Sequence, residues 1–361
     1  MVTKKNILLK KPKITDVKKL YDILGSSSKY YKLFCVLYTA TSLNLFDNLE
    51  EFKKPKDLSD KIGTHPRLTH ILCEVLSNIG LLNKKKDKYK NTKIAELFLK
   101  TDSDYSQIEV IKNLYNGFKI WERLPSIMKS GPLHIDEEDF FEDNLIHALA
   151  AEILTGELQD TVNIVARLPE FQKARKLLDL GGGHGLYSIA FTTLNPNLKA
   201  YVFDFPNVIK DTRKYLETFN ADRVKVIEGN FFVDDIGSGY DIIFFSYNPG
   251  GKNPKLVPKI HKALNDGGIF ITKHAFYKKG EGSKDPLLDL EWNLTKFEGV
   301  KKKDKIYSFE GDLYYEDYLE LLKKYFSIVD IVESKKFSRL PLYKFGDVLD
   351  SKIIICKKQP N

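Results

Sequence analysis

The sequence has 361 residues, 42% hydrophobic and 29% charged. That length exceeds one ordinary core and suits two domains, each able to bury a sizeable interior. The net charge of +8 comes from 57 basic against 49 acidic residues, and its basic runs, such as Lys84-Lys85-Lys86 and Lys301-Lys302-Lys303, are short and not interleaved with aromatics. This reads as a lysine-rich surface and argues against nucleic acid as a partner. Cys35, Cys73 and Cys356 stand far apart without CxxC spacing. Such usage fits a reducing cytoplasm and speaks against a disulfide framework or a structural zinc site. No run of about 18 uninterrupted apolar residues is present, so no membrane span is expected. The lysine-bearing start of the chain lacks the apolar core of a signal peptide.

In chain order, the first 167 residues read as mostly helical. Leu33, Val36, Leu37, Ala40 and Leu43 recur at helical spacing. A second helix starts near Pro66, carries Leu68, Ile71, Leu72, Val75, Leu76 and Ile79 on one face, and stops at Gly80. A short hairpin over 81–91 follows, and helix, turn, helix, hairpin is a winged-helix-like order. Trp121, Leu124 and Ile127 share a further helical face, Gly131-Pro132 breaks it, and one long helix is predicted over roughly 143–165. The domain boundary is placed at Arg167/Leu168.

From Lys176 the period changes. Short apolar runs at 177–180, 200–204, 224–228, 240–246, 268–272, 327–332 and 351–356 alternate mostly with helical segments. Continuous apolar strands separated by helices imply a parallel sheet covered on both faces. The last two runs lack an intervening helix and are expected to form an antiparallel hairpin at an edge. The predicted class is therefore α/β: a Rossmann-like, doubly wound, mostly parallel seven-stranded sheet over 168–361, preceded by an all-α winged-helix-like domain over 1–167.

The chemistry is expected at the ends of these strands. The first ends in Asp179-Leu180-Gly181-Gly182-Gly183-His184-Gly185, with a helix starting near Leu186. Glycines there let the backbone pass close to a ligand, and the helix start offers free N–H groups. Phosphate loops and dinucleotide folds use similar turns, so the turn alone is weak. The second strand ends in Asp204, placed to accept both hydroxyls of a ribose, with Phe205 beside it. Asp179 stands where a dinucleotide turn has an apolar residue. That carboxylate favours S-adenosyl-L-methionine (SAM), whose amino group is cationic, over a pyrophosphate; the alternative is an Asp that caps the turn. Asn230 and Phe231, after the third strand, are placed to meet adenine, or Phe231 is core. Ser246, Tyr247 and Asn248 end the fourth strand and are expected to face the transferred methyl.

These residues carry a resemblance. The stretch 177–272 resembles a class I SAM-dependent methyltransferase. From about residue 25 onward the chain is similar to the hydroxyindole/caffeate-type small-molecule O-methyltransferases, which place a winged-helix-like dimerisation domain before the catalytic one. Leu178 to Gly185, Phe203-Asp204-Phe205-Pro206-Asn207-Val208, Phe231-Phe232 and Trp121 to Gly131 are the matching features. The resemblance implies S-adenosyl-L-methionine as cofactor, bound by Asp179, Gly181, Gly183, His184, Asp204, Phe205, Asn230, Phe231 and Ser246. It also implies a small-molecule acceptor and a homodimer through the N-terminal domain.

The departures matter as much. The family's His-Asp pair beyond the fourth strand falls on Gly250-Gly251, and neither glycine can take a proton. The acidic position ending strand five falls near Lys273, and a second falls near Leu313-Tyr314. Methyl transfer from a sulfonium is an in-line displacement that chiefly needs alignment. A base helps only an acceptor that is protonated at working pH. The acceptor is then already nucleophilic, or another residue is the base, or catalysis is lost. His147, on the predicted long helix, and His274, after strand five, are the candidate bases, with Tyr247 a candidate hydroxyl donor. Phe118, Trp121, His147, Asn248 and Trp292 are the candidate acceptor contacts, with Phe140, Phe141 and Phe297 as further aromatics. No metal site is expected. The predicted activity is methyl transfer to oxygen, carbon or nitrogen of a small, planar cyclic or aromatic acceptor. Methylation of RNA or protein, on a faint Asn-Pro loop signal at 248–249, and a SAM-responsive winged-helix nucleic-acid binder are the alternatives.

Overall fold

The computed structural model describes residues 8–9, 17–135, 144–297, 299, 301–337 and 351–359; Phe140 and Phe141 lie outside them. The chain forms two compact units, Met1–Ile108 and Glu109–Asn361. The boundary expected at 167/168 thus shifts. Helices over 109–166 belong with the sheet, because they supply apolar faces that its core needs: Leu158, Val162 and Val165 share one cluster with the strand residues Leu177, Ile242 and Ile271.

In the first unit, α1 (Val17–Ser42) extends well N-terminal of the helical spacing read from Leu33. Then come α2 (Pro55–Ile62) and α3 (Pro66–Asn78), each opened by a proline whose missing N–H costs nothing at that position. Strands β1 (Leu82–Lys85) and β2 (Lys88–Asn91) pair antiparallel, and α4 (Lys93–Phe98) is capped by the Thr92 hydroxyl. Helix, helix, hairpin is the order read from the sequence, but the hairpin means this unit is not all-α. Leu45, Phe46, Leu58, Cys73, Leu76 and Tyr89 make its interior, and Asn91 donates to the Phe46 carbonyl at 2.7 Å. Leu20, Tyr21, Ile23 and Leu24 on α1 and Leu68 and Ile71 on α3 are left exposed.

The second unit begins at Glu109, within α5 (Ile108–Glu122), and continues with α6 (Leu124–Ser130) and the short strand β3 (Leu133–Ile135). The predicted long helix is two: α7 (Asn144–Ile153) and α8 (Glu157–Ala166). The break falls at Gly156, whose φ of 140° no L side chain adopts comfortably. Then follow α9 (Pro169–Lys173), β4 (Lys176–Leu180), α10 (Leu186–Leu194), β5 (Lys199–Asp204), α11 (Pro206–Thr218), β6 (Val224–Glu228), β7 (Tyr240–Ser246), α12 (Leu256–Ala263), β8 (Leu264–Ala275), α13 (Pro286–Asn293), β9 (Thr295–Phe297), α14 (Tyr315–Tyr325), β10 (Ser327–Glu333) and β11 (Ser351–Lys357).

Among the described residues the main sheet has seven strands in the order β10-β11-β8-β7-β4-β5-β6. All run parallel except β11, which pairs antiparallel with both β10 and β8. The strand runs of the sequence are therefore found where expected, including the antiparallel edge pair. A two-stranded parallel pair, β3 with β9, was not foreseen. Phe171, Phe191 and Phe244 pack on one face of the sheet, and Phe203, Phe245, Phe270 and Tyr318 on the other. The central strand β4 has β5 on one side and β7 on the other. The winding reverses there, so a crevice opens beyond the carboxyl end of β4, the place where doubly wound sheets hold ligands.

Candidate active site

The crevice is a cavity lined by Ile146, Leu149 and Ile153 of α7, Asp179, the turn 181–184, Tyr187, Asp204, Phe205, Val208, Phe231 and residues 246–249. Three glycines of the turn, Gly181, Gly183 and Gly185, take positive φ. Space matters as much as φ. A Cβ on Gly182 would lie 2.6 Å from Cγ of Asp179, and one on Gly183 would touch Ile146 at 3.0 Å. The turn is pressed between a carboxylate and α7, which only a bare backbone permits.

Both oxygens of Asp204 are anchored by backbone. The Gly183 N–H donates to Oδ2 and the Phe205 N–H to Oδ1, each at 2.8 Å. Each oxygen keeps a further lone pair for a ligand hydroxyl. Phe205, Val208 and Phe231 supply apolar wall on the same side. Asp179 is buried and accepts from the Ser188 hydroxyl at 2.8 Å. Desolvation pushes its carboxyl up to about 7, with the neighbouring Asp204 charge adding to the rise. Desolvation likewise raises Asp204 to about 6. Two carboxyls held against their own ionisation are a site that gains from a cationic ligand. An acid with a lone pair free on each oxygen, apolar walls and a second carboxyl at the cavity fit an S-adenosyl nucleoside bearing an amino group.

The structure brings together Asp179, Gly181, Gly183, His184, Asp204, Phe205, Phe231, Ser246, Tyr247 and Asn248 around one cavity. His184 is buried, its Nδ1 accepts from the Leu186 N–H at 3.1 Å, and burial holds its imidazole down at about 4, with Lys273 assisting. It is a neutral part of the turn.

Other expectations need correction. Asn230 is not among the lining residues: its Oδ1 accepts from the Phe232 N–H at 2.9 Å and closes a local turn. Asn248 lines the cavity, but its Nδ2 is engaged with three backbone carbonyls of the turn and strand end. His147 faces away from the cavity, with Nδ1 2.8 Å from the Tyr215 hydroxyl and Nε2 3.8 Å from Asp211. The reason is helical phase: Ile146, Leu149 and Ile153 take the inner face of α7, which turns His147 outward onto α11. Tyr247 borders the cavity, yet its hydroxyl is buried, and burial raises its pKa, so it is a poor proton donor to a ligand.

His274 sits in the interior, its ring edge-on to Phe245. A Cβ on Gly251 would lie 2.5 Å from its Nε2, so this imidazole fills the space a side chain at 251 would need. Burial, then Lys252 and Lys273, drives its pKa well below the ordinary imidazole range. An imidazole so disposed resists protonation and is a weak base. Trp121 donates from Nε1 to Glu291 at 3.2 Å, and Trp292 donates to the Lys303 carbonyl at 3.0 Å while packing on Tyr307 and Phe309. Neither they nor Phe118 line the cavity.

Several neighbours went unmarked in the sequence. Ile146, Leu149 and Ile153 form the apolar wall; their spacing signals a helix face but not which ligand it meets. Lys273, two residues before the end of β8, is fully buried, ion-paired with Glu157 and donating to Thr161 at 3.1 Å and to the Tyr187 hydroxyl at 3.0 Å. Its Nζ also lies 4.9 Å from the Tyr247 ring centre. The break at Gly156 is what starts α8 at Glu157 and brings that partner within reach. A basic residue at the strand-five position therefore has its own internal counter-ion.

Two family descriptions match the chain: an O-methyltransferase domain over residues 139–308 and an O-methyltransferase dimerisation domain over residues 26–101. An uncharacterized protein of Methanocaldococcus jannaschii is 41% identical, covering 98% of this chain and all of that protein. The acetylserotonin O-methyltransferase of Bos taurus is 25% identical over 76% of this chain and 85% of its own. Human N-acetylserotonin methyltransferase, solved in complex with SAM, superposes with a TM-score of 0.68 at 19% identity, covering 94% of this chain and 98% of that one.

Proposed function

The chain belongs to the O-methyltransferase family, whose methyl donor is S-adenosyl-L-methionine. On that premise we propose that it methylates a small, planar cyclic or aromatic acceptor, at oxygen, carbon or nitrogen, that arrives already nucleophilic. The observation that carries this reading is the state of the ionisable groups around the cavity. Gly250-Gly251 offers no proton acceptor, His184 is neutral and bonded to the Leu186 N–H, Asp204 is bonded at both oxygens, and Asp179 is bonded to the Ser188 hydroxyl and assigned to the donor's positive charge. His274 is held against protonation.

Bound in the crevice, S-adenosyl-L-methionine supplies a methyl group on a sulfonium, which needs an aligned nucleophile rather than an acid. The chain's own residues bind and orient. Asp204 takes the ribose hydroxyls, Phe205, Val208 and Phe231 flank the base, and Asp179 offsets positive charge. Ile146, Leu149, Tyr187 and Tyr247 present apolar surface that excludes water and steers a flat acceptor.

The feature that kept RNA or protein methylation open is weakened, because the Asn248 amide is committed to backbone carbonyls. For the nucleic-acid reading, α3 exposes Leu68 and Ile71 where a basic stripe would be needed. Those residues and the apolar face of α1 suit a homodimer interface, which light scattering in solution tests: a single-chain mass would count against it.

The activity is tested with SAM carrying a deuterated methyl group and a matched pair of planar acceptors. One is an acidic phenol, ionised at neutral pH; the other is the same ring with an aliphatic alcohol. The expected product is the labelled ether of the phenol alone. Equal labelling of the alcohol would show that a protein base exists.

A further inference from the structure

Three backbone carbonyls at the lip of the donor site converge on one nitrogen. Nδ2 of Asn248 lies 2.9 Å from the Ser246 carbonyl oxygen, 3.1 Å from that of Gly181 and 3.2 Å from that of Leu180. These carbonyls belong to the ends of β4 and β7, the strands that bound the crevice on this side. A carboxamide has two N–H bonds and no charge, so it cannot serve three acceptors well. A primary ammonium has three N–H bonds and a positive charge, and charge-assisted bonds are the stronger kind. The cage is thus better matched to an ammonium than to the side chain that fills it. Asp179, one residue before Leu180, also lines the cavity.

Two further features show how Asn248 comes to be there. The amide lies directly where a side chain on Gly181 would be, so glycine at 181, with φ of 63°, is what admits it. Tyr247, just before it, holds φ at 50°, a left-handed conformation that aromatic residues avoid. Its N–H is fixed to the Lys273 carbonyl at 2.8 Å. Strain of this kind persists only where the surrounding structure holds it, and it clusters at ligand clamps and switch regions.

We propose that Asn248 is an internal stand-in for the amino group of the methyl donor: its amide holds the carbonyl cage in the free protein and swings off when an amino-bearing ligand takes its place. The proposal rests on the donor assignment and is independent of the acceptor class.

Calorimetric titration with two ligands tests it. S-adenosylhomocysteine carries the amino group; 5′-methylthioadenosine keeps the nucleoside and thioether but lacks the amino-acid end. A plug that occupies the cage nine-tenths of the time weakens apparent affinity by about tenfold, and only for a ligand that needs the cage. Asn248→Ala is therefore expected to bind S-adenosylhomocysteine about tenfold more tightly and 5′-methylthioadenosine within about twofold of the unmodified protein. Asn248→Ser, with a side chain too short to reach all three carbonyls, should move in the same direction and replaces the alanine variant if that one does not fold. Weaker binding of S-adenosylhomocysteine, an equal shift for both ligands, or no shift for either would overturn the proposal and make Asn248 a fixed clip of the turn. If the unmodified protein bound neither nucleoside, the donor assignment would fail, and that failure is separable from the others.

Discussion

Asp204→Ala is expected to lose at least about a hundredfold in affinity for S-adenosylhomocysteine while the chain still folds, the loss being that of two hydrogen bonds to a charged group at roughly 1.5–3 kcal/mol each. The substitution removes the acceptor of two ligand hydroxyls. It also frees the Gly183 and Phe205 N–H groups, which now fix the turn against Asp204 at 2.8 Å. The fold should survive because this carboxyl is desolvated, with its pKa raised to about 6, so its removal also relieves a cost. Asp204→Asn keeps one acceptor oxygen and should fall between. Calorimetry reads the affinities and a thermal melt reads the fold. An unchanged affinity in the alanine variant would place the ribose elsewhere.

The second expectation concerns pH. In the free protein the Asp179 and Asp204 carboxyls sit at about 7 and about 6, against an ordinary 3.8. Because folding raises both, the native state keeps their protons at pH values where the unfolded chain has released them. Their contribution to stability is therefore full below about pH 4 and is lost as pH rises through 6 to 7. Affinity for a ligand bearing an ammonium group runs in the opposite direction, since the ammonium favours ionised Asp179 and the ribose hydroxyls bond most strongly to ionised Asp204. Between pH 5.5 and 8 the affinity for S-adenosylhomocysteine should rise on the order of a hundredfold, with protons released on binding in the lower part of that range. Asp179→Asn should remove most of the dependence. A flat profile in the unmodified protein would mean that neither carboxyl meets the ligand.

The fold was legible in the sequence to an unusual extent because the strands are buried on both faces. Such strands read as apolar runs, as Ile242–Phe245 of β7, Ile269–Ile271 of β8 and Ile353–Cys356 of β11 do, whereas the edge strands β6 and β10 are interrupted by Lys225 and Asp330 and are only partly buried. The donor side was legible for a related reason: Asp179, the glycine turn and Asp204 lie at strand ends, and strand ends converge in a doubly wound sheet whatever the loops do. The other side of the cavity depends on side-chain direction, which a one-dimensional pattern does not carry. In α7, apolar residues occur on several faces, so its phase is ambiguous; packing of Ile146 against Gly183 decides it and sends His147 the other way. His274 alternates along β8 onto a face where Phe245 packs and Gly251 leaves room for its ring, so it points into packed interior. The pairing of β3 with β9 joins two three-residue segments some 160 residues apart, too short and too distant to leave a signal.

Charge around the crevice follows the same division. Lys273 on its own reads as the loss of an acidic residue. With Glu157, Thr161 and Tyr187 around it, it becomes a neutralised brace behind Tyr187 and Tyr247, both of which line the cavity. Lys252, next to Gly251, is likewise buried and spent on the Ala275 and Tyr307 carbonyls and on Asp312 at 3.4 Å. Two cations stand near His274, and both oppose a second proton on it. On the proposed mechanism, the buried cations around His274 keep this part of the site from taking protons.

The pH dependence of transfer to two phenols of different acidity, at saturating SAM, tests that conclusion most directly. If the acceptor must arrive ionised, the rate of each will follow its own ionisation, and the midpoint will move with the phenol while the protein stays the same. A midpoint that is fixed by the protein and shared by both acceptors would reveal a protein base and contradict the base-free mechanism.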